Sequence, residues 1–157
     1  MIKHRQQFGF STLELVVIFA IVVILASFIA SKYTAVSQAH RDDTRKNDIT
    51  SLQLGIQSYW AQTGNFPSVA QMDSATFRNS SLNKLDTRAA QDPRWNSHNK
   101  YCARAGTLTF EDSIIPHVGC YGYVATPAGC DNKAVACTGY SLNAHLENVT
   151  YYSKSSS

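Results

Sequence analysis

Few residues in this chain are placed to do chemistry, and Glu14 comes first. It is the one ionisable side chain in the apolar run GFSTLELVVIFAIVVILASFIA, from Gly9 to Ala30. A charged carboxylate in hydrocarbon costs a few kcal/mol by insertion scales, so it calls for a cationic partner. The second group is Cys102, Cys120, Cys130 and Cys137, all in the last third of the chain. An even count confined to one segment predicts two disulfides formed in an oxidising compartment. A structural zinc site is the alternative, but the short Cys-x-x-Cys pairs it favours are missing. Four cysteines allow three pairings, and loop length favours neighbours, Cys102 with Cys120 and Cys130 with Cys137. His98, His117 and His145 are scattered, and no serine sits in a nucleophile-elbow setting. Each histidine is therefore expected at the surface or half-buried. Asp131 and Asn132 are oxygen donors in a turn, short of the six or more that calcium requires. No catalytic residue, metal site or cofactor is expected.

Composition narrows the field. The 157 residues suffice for one small domain plus an appendage, and 44% hydrophobic against 16% charged residues suits a folded chain. The formal charge is +3, and removing Lys3 and Arg5 with a leader lowers it by two. That near-neutral remainder gives no overall electrostatic footprint for nucleic acid, for which a local basic patch is the only route left.

The elements that position these residues begin with a helix. Phe10 to Ala30 lacks proline and internal glycine. At about 1.5 Å per residue its roughly twenty residues span a bilayer core of ~30 Å. The preceding MIKHRQQFG is basic through Lys3 and Arg5, which predicts a cytoplasmic N-terminus and an exported C-terminal part. A cleaved secretory signal is the rival; ASFIAS, residues 26–31, loosely supplies a site, but the apolar run is too long for one. Beyond Ala30 the helical pattern continues, with Ile49, Leu52, Ile56 and Tyr59 forming one apolar stripe meant for a sheet. The run HRDDTRKND, residues 40–48, is mixed in sign and reads as a solvated or subunit-facing side. Gly64 suits a left-handed C-cap and Pro67 a stop, giving a predicted rod of about 80 Å.

The rest reads as a small sheet domain. Phe66 to Ser81 reads as loop with a short helical turn near SVAQMDSATF, followed by a connecting loop in which Asp92-Pro93 starts a turn. TLTFED, CYGYVATP, GYSLNAHLE and NVTYYSK alternate apolar and polar residues and predict three or four short antiparallel strands. Cys130 and Cys137 would staple a loop between two of them, and the tail SKSSS is expected to fray. Asn79 and Asn148 stand in N-glycosylation tripeptides of a kind that arises often by chance.

GFSTLELVVIFAIVVIL resembles the class III signal of type IV pilins and pseudopilins, with STLE where TLIE is commoner. The resemblance implies that a prepilin peptidase cuts after Gly9 and that Phe10, the new N-terminus, is N-methylated. It implies too that Glu14 serves subunit assembly by meeting the Phe10 amine of a neighbouring copy. YWAQTGNFP, residues 59–67, is similar to the element that closes the long helix in this family. Trp60 and Phe66 replace the usual tyrosines and are expected as packing residues. Tyr123 to Glu147 is similar to the family's final hairpin. The implied fold is α+β: a pilin fold whose long N-terminal helix, its first half transmembrane, packs on a small antiparallel sheet with disulfides. Residues 1–9 would be the leader, 10–31 the transmembrane and assembly helix, 32–63 its amphipathic half, and 64–157 the exported head.

The implied function is that of a non-enzymatic structural subunit of a helical surface filament, serving adhesion, motility or DNA uptake. Before assembly it would be a single-pass protein of the cytoplasmic membrane. Implied partners are further copies of the chain, the prepilin peptidase, an assembly ATPase with its platform, and other minor pilins. Two alternatives stand beside this. One is a type II secretion pseudopilin, against which DPRWNSHNKY departs from that group's Asp-Pro-Trp-Gly-x-Pro-Tyr. The other is a membrane-anchored exported binding domain that never polymerises.

Overall fold

The structure is a computed structural model, and it describes residues 11–82, 85, 87–94, 103–104, 107–108, 110–147 and 150–156. The chain divides into two units, Met1–Ala39 and His40–Ser157. In chain order the elements are helix α1 (Thr12–Thr63), α2 (Val69–Asp73), α3 (Ala75–Ser81), a 3-10 turn (Thr87–Ala90), and strands β1 (Ala103–Arg104), β2 (Thr107–Leu108), β3 (Tyr121–Thr126), β4 (Gly139–His145) and β5 (Tyr151–Ser155). The class is α+β, with a long apolar N-terminal helix and a small antiparallel sheet.

The first unit contains the apolar part of α1. Every described side chain from Ser11 to Ile29 is exposed. The stretch is long and apolar enough to cross a membrane. A helix suits lipid because it satisfies its own backbone polar groups. Ser27, a polar interruption, returns its hydroxyl to the Ile24 carbonyl at 2.7 Å, which satisfies that donor within the helix.

The second unit has its own core. Ile49, Leu52 and Ile56 are fully buried and Tyr59 packs at their edge, as the spacing of three and four predicts. They share that core with Tyr121, Tyr123 and Ala125 of β3 and with Tyr140, Leu142 and Ala144 of β4. These are alternate residues on each strand, as the two-residue period of a strand requires. Each fully buried Ile or Leu contributes about 1.5–3 kcal/mol. The sheet order is β3-β4-β5, antiparallel throughout. Tyr123 lies opposite Leu142, and Leu142 opposite Lys154.

The helix end follows its sequence signals. Gly64 takes a φ of +76°, where a side chain would be strained, and its N–H reaches the Trp60 carbonyl at 2.8 Å. Gly122 has a different reason: a Cβ there would lie 2.1 Å from the Ser113 carbonyl oxygen, so the loop before β3 packs directly on its backbone.

Three expectations are corrected. Phe66–Ser81 holds two short helices rather than one turn. Ser68 caps α2 through a capping box with Gln71, and Ser74 ends α2 while capping α3. The tail does not fray through Ser156: Ser153, Lys154 and Ser155 pair with Asn143, Leu142 and Ser141, and the Ser156 N–H reaches Tyr140 O at 3.1 Å. The edge of β4 offered those partners, which polar composition alone does not reveal. The third correction concerns the charged run of α1.

Candidate functional site

Gly9 and Phe10 lie outside the described residues, so the site can be built only from Glu14. It sits in the first turn of α1, where the helix dipole favours an acid. The side chain is exposed and, among the described residues, makes no hydrogen bond or ion pair. The chain thus carries a carboxylate in its apolar segment that none of its described residues neutralises.

The charged run behaves differently from its expected solvated role. Arg45 is fully buried and Asp42 nearly so. The Arg45 guanidinium holds Asp92 with two prongs, Nε to Oδ2 at 2.7 Å and Nη2 to Oδ1 at 3.1 Å. Its Nη1 donates to Asp42 Oδ1 at 2.7 Å and to Glu147 Oε1 at 3.3 Å. Arg41, one helical turn earlier, forks onto Glu147 at 2.5 Å and 2.9 Å. Arg94 stands 3.6 Å from the same carboxylate, while its backbone N–H caps Asp92 Oδ1 at 2.7 Å. Asp42 also accepts the Glu147 backbone N–H at 3.0 Å. Three arginines and three carboxylates thereby tie α1 to the Asp92 turn and to the segment after β4.

The charge states follow from that geometry. Burial pulls the Arg45 guanidinium down, but Asp92, then Asp42 and Glu147, outweigh it, and its pKa is raised. Glu147 is held at about 2, chiefly by the hydrogen bond from Arg41, with burial opposing. Nearby, the Tyr121 hydroxyl donates to Asp48 at 2.6 Å, and burial, then that carboxylate, push its pKa up. Every ion in the cluster has a counter-ion, so the arrangement locks structure.

Cys130 and Cys137 are bonded, with their Cα atoms 5.2 Å apart, and staple the loop from β3 to β4. Cys120 is also in a disulfide; its predicted partner, Cys102, lies outside the described residues. The loop inside the Cys130–Cys137 ring uses its oxygen donors internally. Asp131 Oδ1 accepts the N–H groups of Lys133, Ala134 and Val135. Asn132, at φ 60°, donates to Phe66 O and accepts from Cys137 N. His117 pairs with Glu111 at 2.7 Å, and the His145 ring stands edge-on to Tyr151. His98 and Asn148 lie outside the described residues, and Asn79 is exposed on α3. Among the described residues no three His, Cys, Asp or Glu side chains gather as a metal site would require.

Sequence reasoning missed the buried network. A signal was present: Arg45 lies four residues before Ile49, on the same helical stripe as Ile49, Leu52 and Ile56. Comparison with family models, curated proteins and solved structures returns no match to this chain.

Proposed function

We propose that this chain is a type IV pilin-like structural subunit, assembled into a helical filament through its N-terminal helix. The observation that carries the reading is Glu14, a carboxylate in an apolar, exposed helical stretch, with no partner among the described residues of its own chain. A plain membrane anchor needs no acid there, whereas a filament subunit finds the missing cation on another copy. In this account the prepilin peptidase cuts after Gly9 and the new Phe10 amine receives one methyl group, keeping its positive charge. The amine of one copy then meets Glu14 of the next. Lipid contact along α1 is exchanged for helix contact, and the pair sets the register between neighbours. The head, exported and stapled by disulfides, forms the filament surface. An assembly ATPase with its platform draws subunits from the cytoplasmic membrane, other minor pilins join them, and the subunit itself catalyses nothing.

The test is Glu14→Ala in cells that carry the assembly machinery, comparing sheared surface filaments with the subunit left in membranes. Filaments are expected to fall at least tenfold while membrane levels hold. Wild-type filament yield from the alanine variant would overturn the proposal.

A further inference from the structure

A cleft of about 370 Å³ opens in the second unit beside the end of α1. Trp60, Phe66 and Tyr140 line it, with Gln57 and Ser156 supplying polar groups. The two aromatics expected as packing residues have diverged: Phe66 is 9% exposed, but Trp60 is 49% exposed. Trp60 lies nearly parallel to Phe66, at 15° with centroids 5.9 Å apart, and Phe66 rests on Tyr140 at 5.0 Å. Tyr140 in turn stacks on buried Tyr123 at 6.0 Å. This chain of rings backs one face of the indole, which lowers the side-chain motion a ligand must freeze on binding.

A lone exposed aromatic is ordinary; one that lines a cleft beside polar side chains is less so. No hydrogen bond among the described residues engages the Gln57 amide or the Trp60 indole N–H. Ser156 Oγ accepts the Tyr140 N–H at 3.2 Å and keeps its own O–H to donate. Among the described residues no charged side chain lines the cleft, which disfavours phosphates, nucleotides and metal ions. A flat apolar wall beside neutral donors and acceptors matches a pyranose ring, whose C–H face stacks on the aromatic while its hydroxyls reach the polar groups. We infer that this cleft binds a neutral saccharide of one or two pyranose rings, stacked on Trp60. The inference does not depend on whether the chain polymerises.

The test uses the full chain in lipid nanodiscs with Trp95→Phe, which leaves Trp60 as the sole tryptophan of the two. Titration with the neutral disaccharides cellobiose and lactose should give a saturable change in Trp60 emission, with Kd about 1 mM for a single stacked ring and a few hydrogen bonds. Saturation-transfer NMR, which reads the sugar instead, should show affinity about tenfold lower for Trp60→Ala. Trp60→Phe, which retains a stacked ring, should lose less, and Gln57→Ala should weaken binding severalfold. No saturable response up to about 50 mM sugar, or equal transfer to wild type and Trp60→Ala, would overturn the inference. So would a Trp60 shift that follows protein concentration without sugar, which would assign the cleft to a second copy of the chain.

Discussion

Replacing Arg45 by methionine removes the central cation of the buried network and leaves Asp42, Asp92 and Glu147 around an apolar side chain. The Arg45 side chain is fully buried, and the Asp92 side chain that it grips is 1% exposed. Arg41 and Arg94 remain, but both are partly exposed and both pair with Glu147. Asp92 therefore loses its forked partner and keeps the Arg94 backbone N–H. Breaking one side of a buried pair costs about 3–5 kcal/mol, because the stranded charge is desolvated without compensation. With a urea slope of about 2 kcal/mol per molar, the unfolding midpoint should fall by roughly 1.5–2.5 M. Arg45→Lys keeps the charge but not the fork and should fall between. Asp92→Asn should also destabilise. The double variant Arg45→Met/Asp92→Asn should cost at least about 1 kcal/mol less than the two single effects together, since both remove one interaction. The assay is urea unfolding of the full chain in detergent micelles, followed by near-ultraviolet circular dichroism of the aromatic core. An Arg45→Met variant within about 0.5 kcal/mol of wild type, or strict additivity in the cycle, would refute the reasoning.

Two further outcomes follow from the second unit. Glu147 titrates at about 2 when folded against an ordinary 4.5, so its contribution is complete above about 4.5 and is lost as pH falls toward 2. Urea midpoints between pH 7 and pH 2.5 should show this loss, and Glu147→Gln should flatten it. Replacing Cys130 and Cys137 by alanine opens a loop with a sequence separation of 7; chain-entropy arguments put the cost at about 2–3 kcal/mol, read by the same urea assay.

How much the sequence revealed depends on the range of each interaction. The Ile49, Leu52 and Ile56 stripe was legible because a helix writes its buried face into local spacing. Gly64 and the alternating residues of β3 and β4 were legible for the same reason. The neighbour pairing of Cys130 with Cys137 followed from loop length. The Arg45 network was not legible: its partners Asp92 and Glu147 lie 47 and 102 residues away, and charges close in sequence read as a solvated face. Ser153 to Ser155 failed likewise, since small polar residues pair in a strand only when an edge such as β4 is offered. Trp60 packs on Phe66 as expected but stays half-exposed, a degree of display that its spacing near Phe66 does not encode. Glu14 was legible as an anomaly, a lone carboxylate in an apolar run, and no partner for it appears among the described residues.

The central claim is that Glu14 is balanced by an amine made at Phe10 and carried by another copy. Intact-mass and N-terminal peptide mass spectrometry of the protein from surface filaments tests this most directly. The account predicts a chain beginning at Phe10 with one added methyl on its amine. A mature chain still beginning at Met1, or one cleaved beyond Ala30 so that the apolar helix is gone, would contradict it.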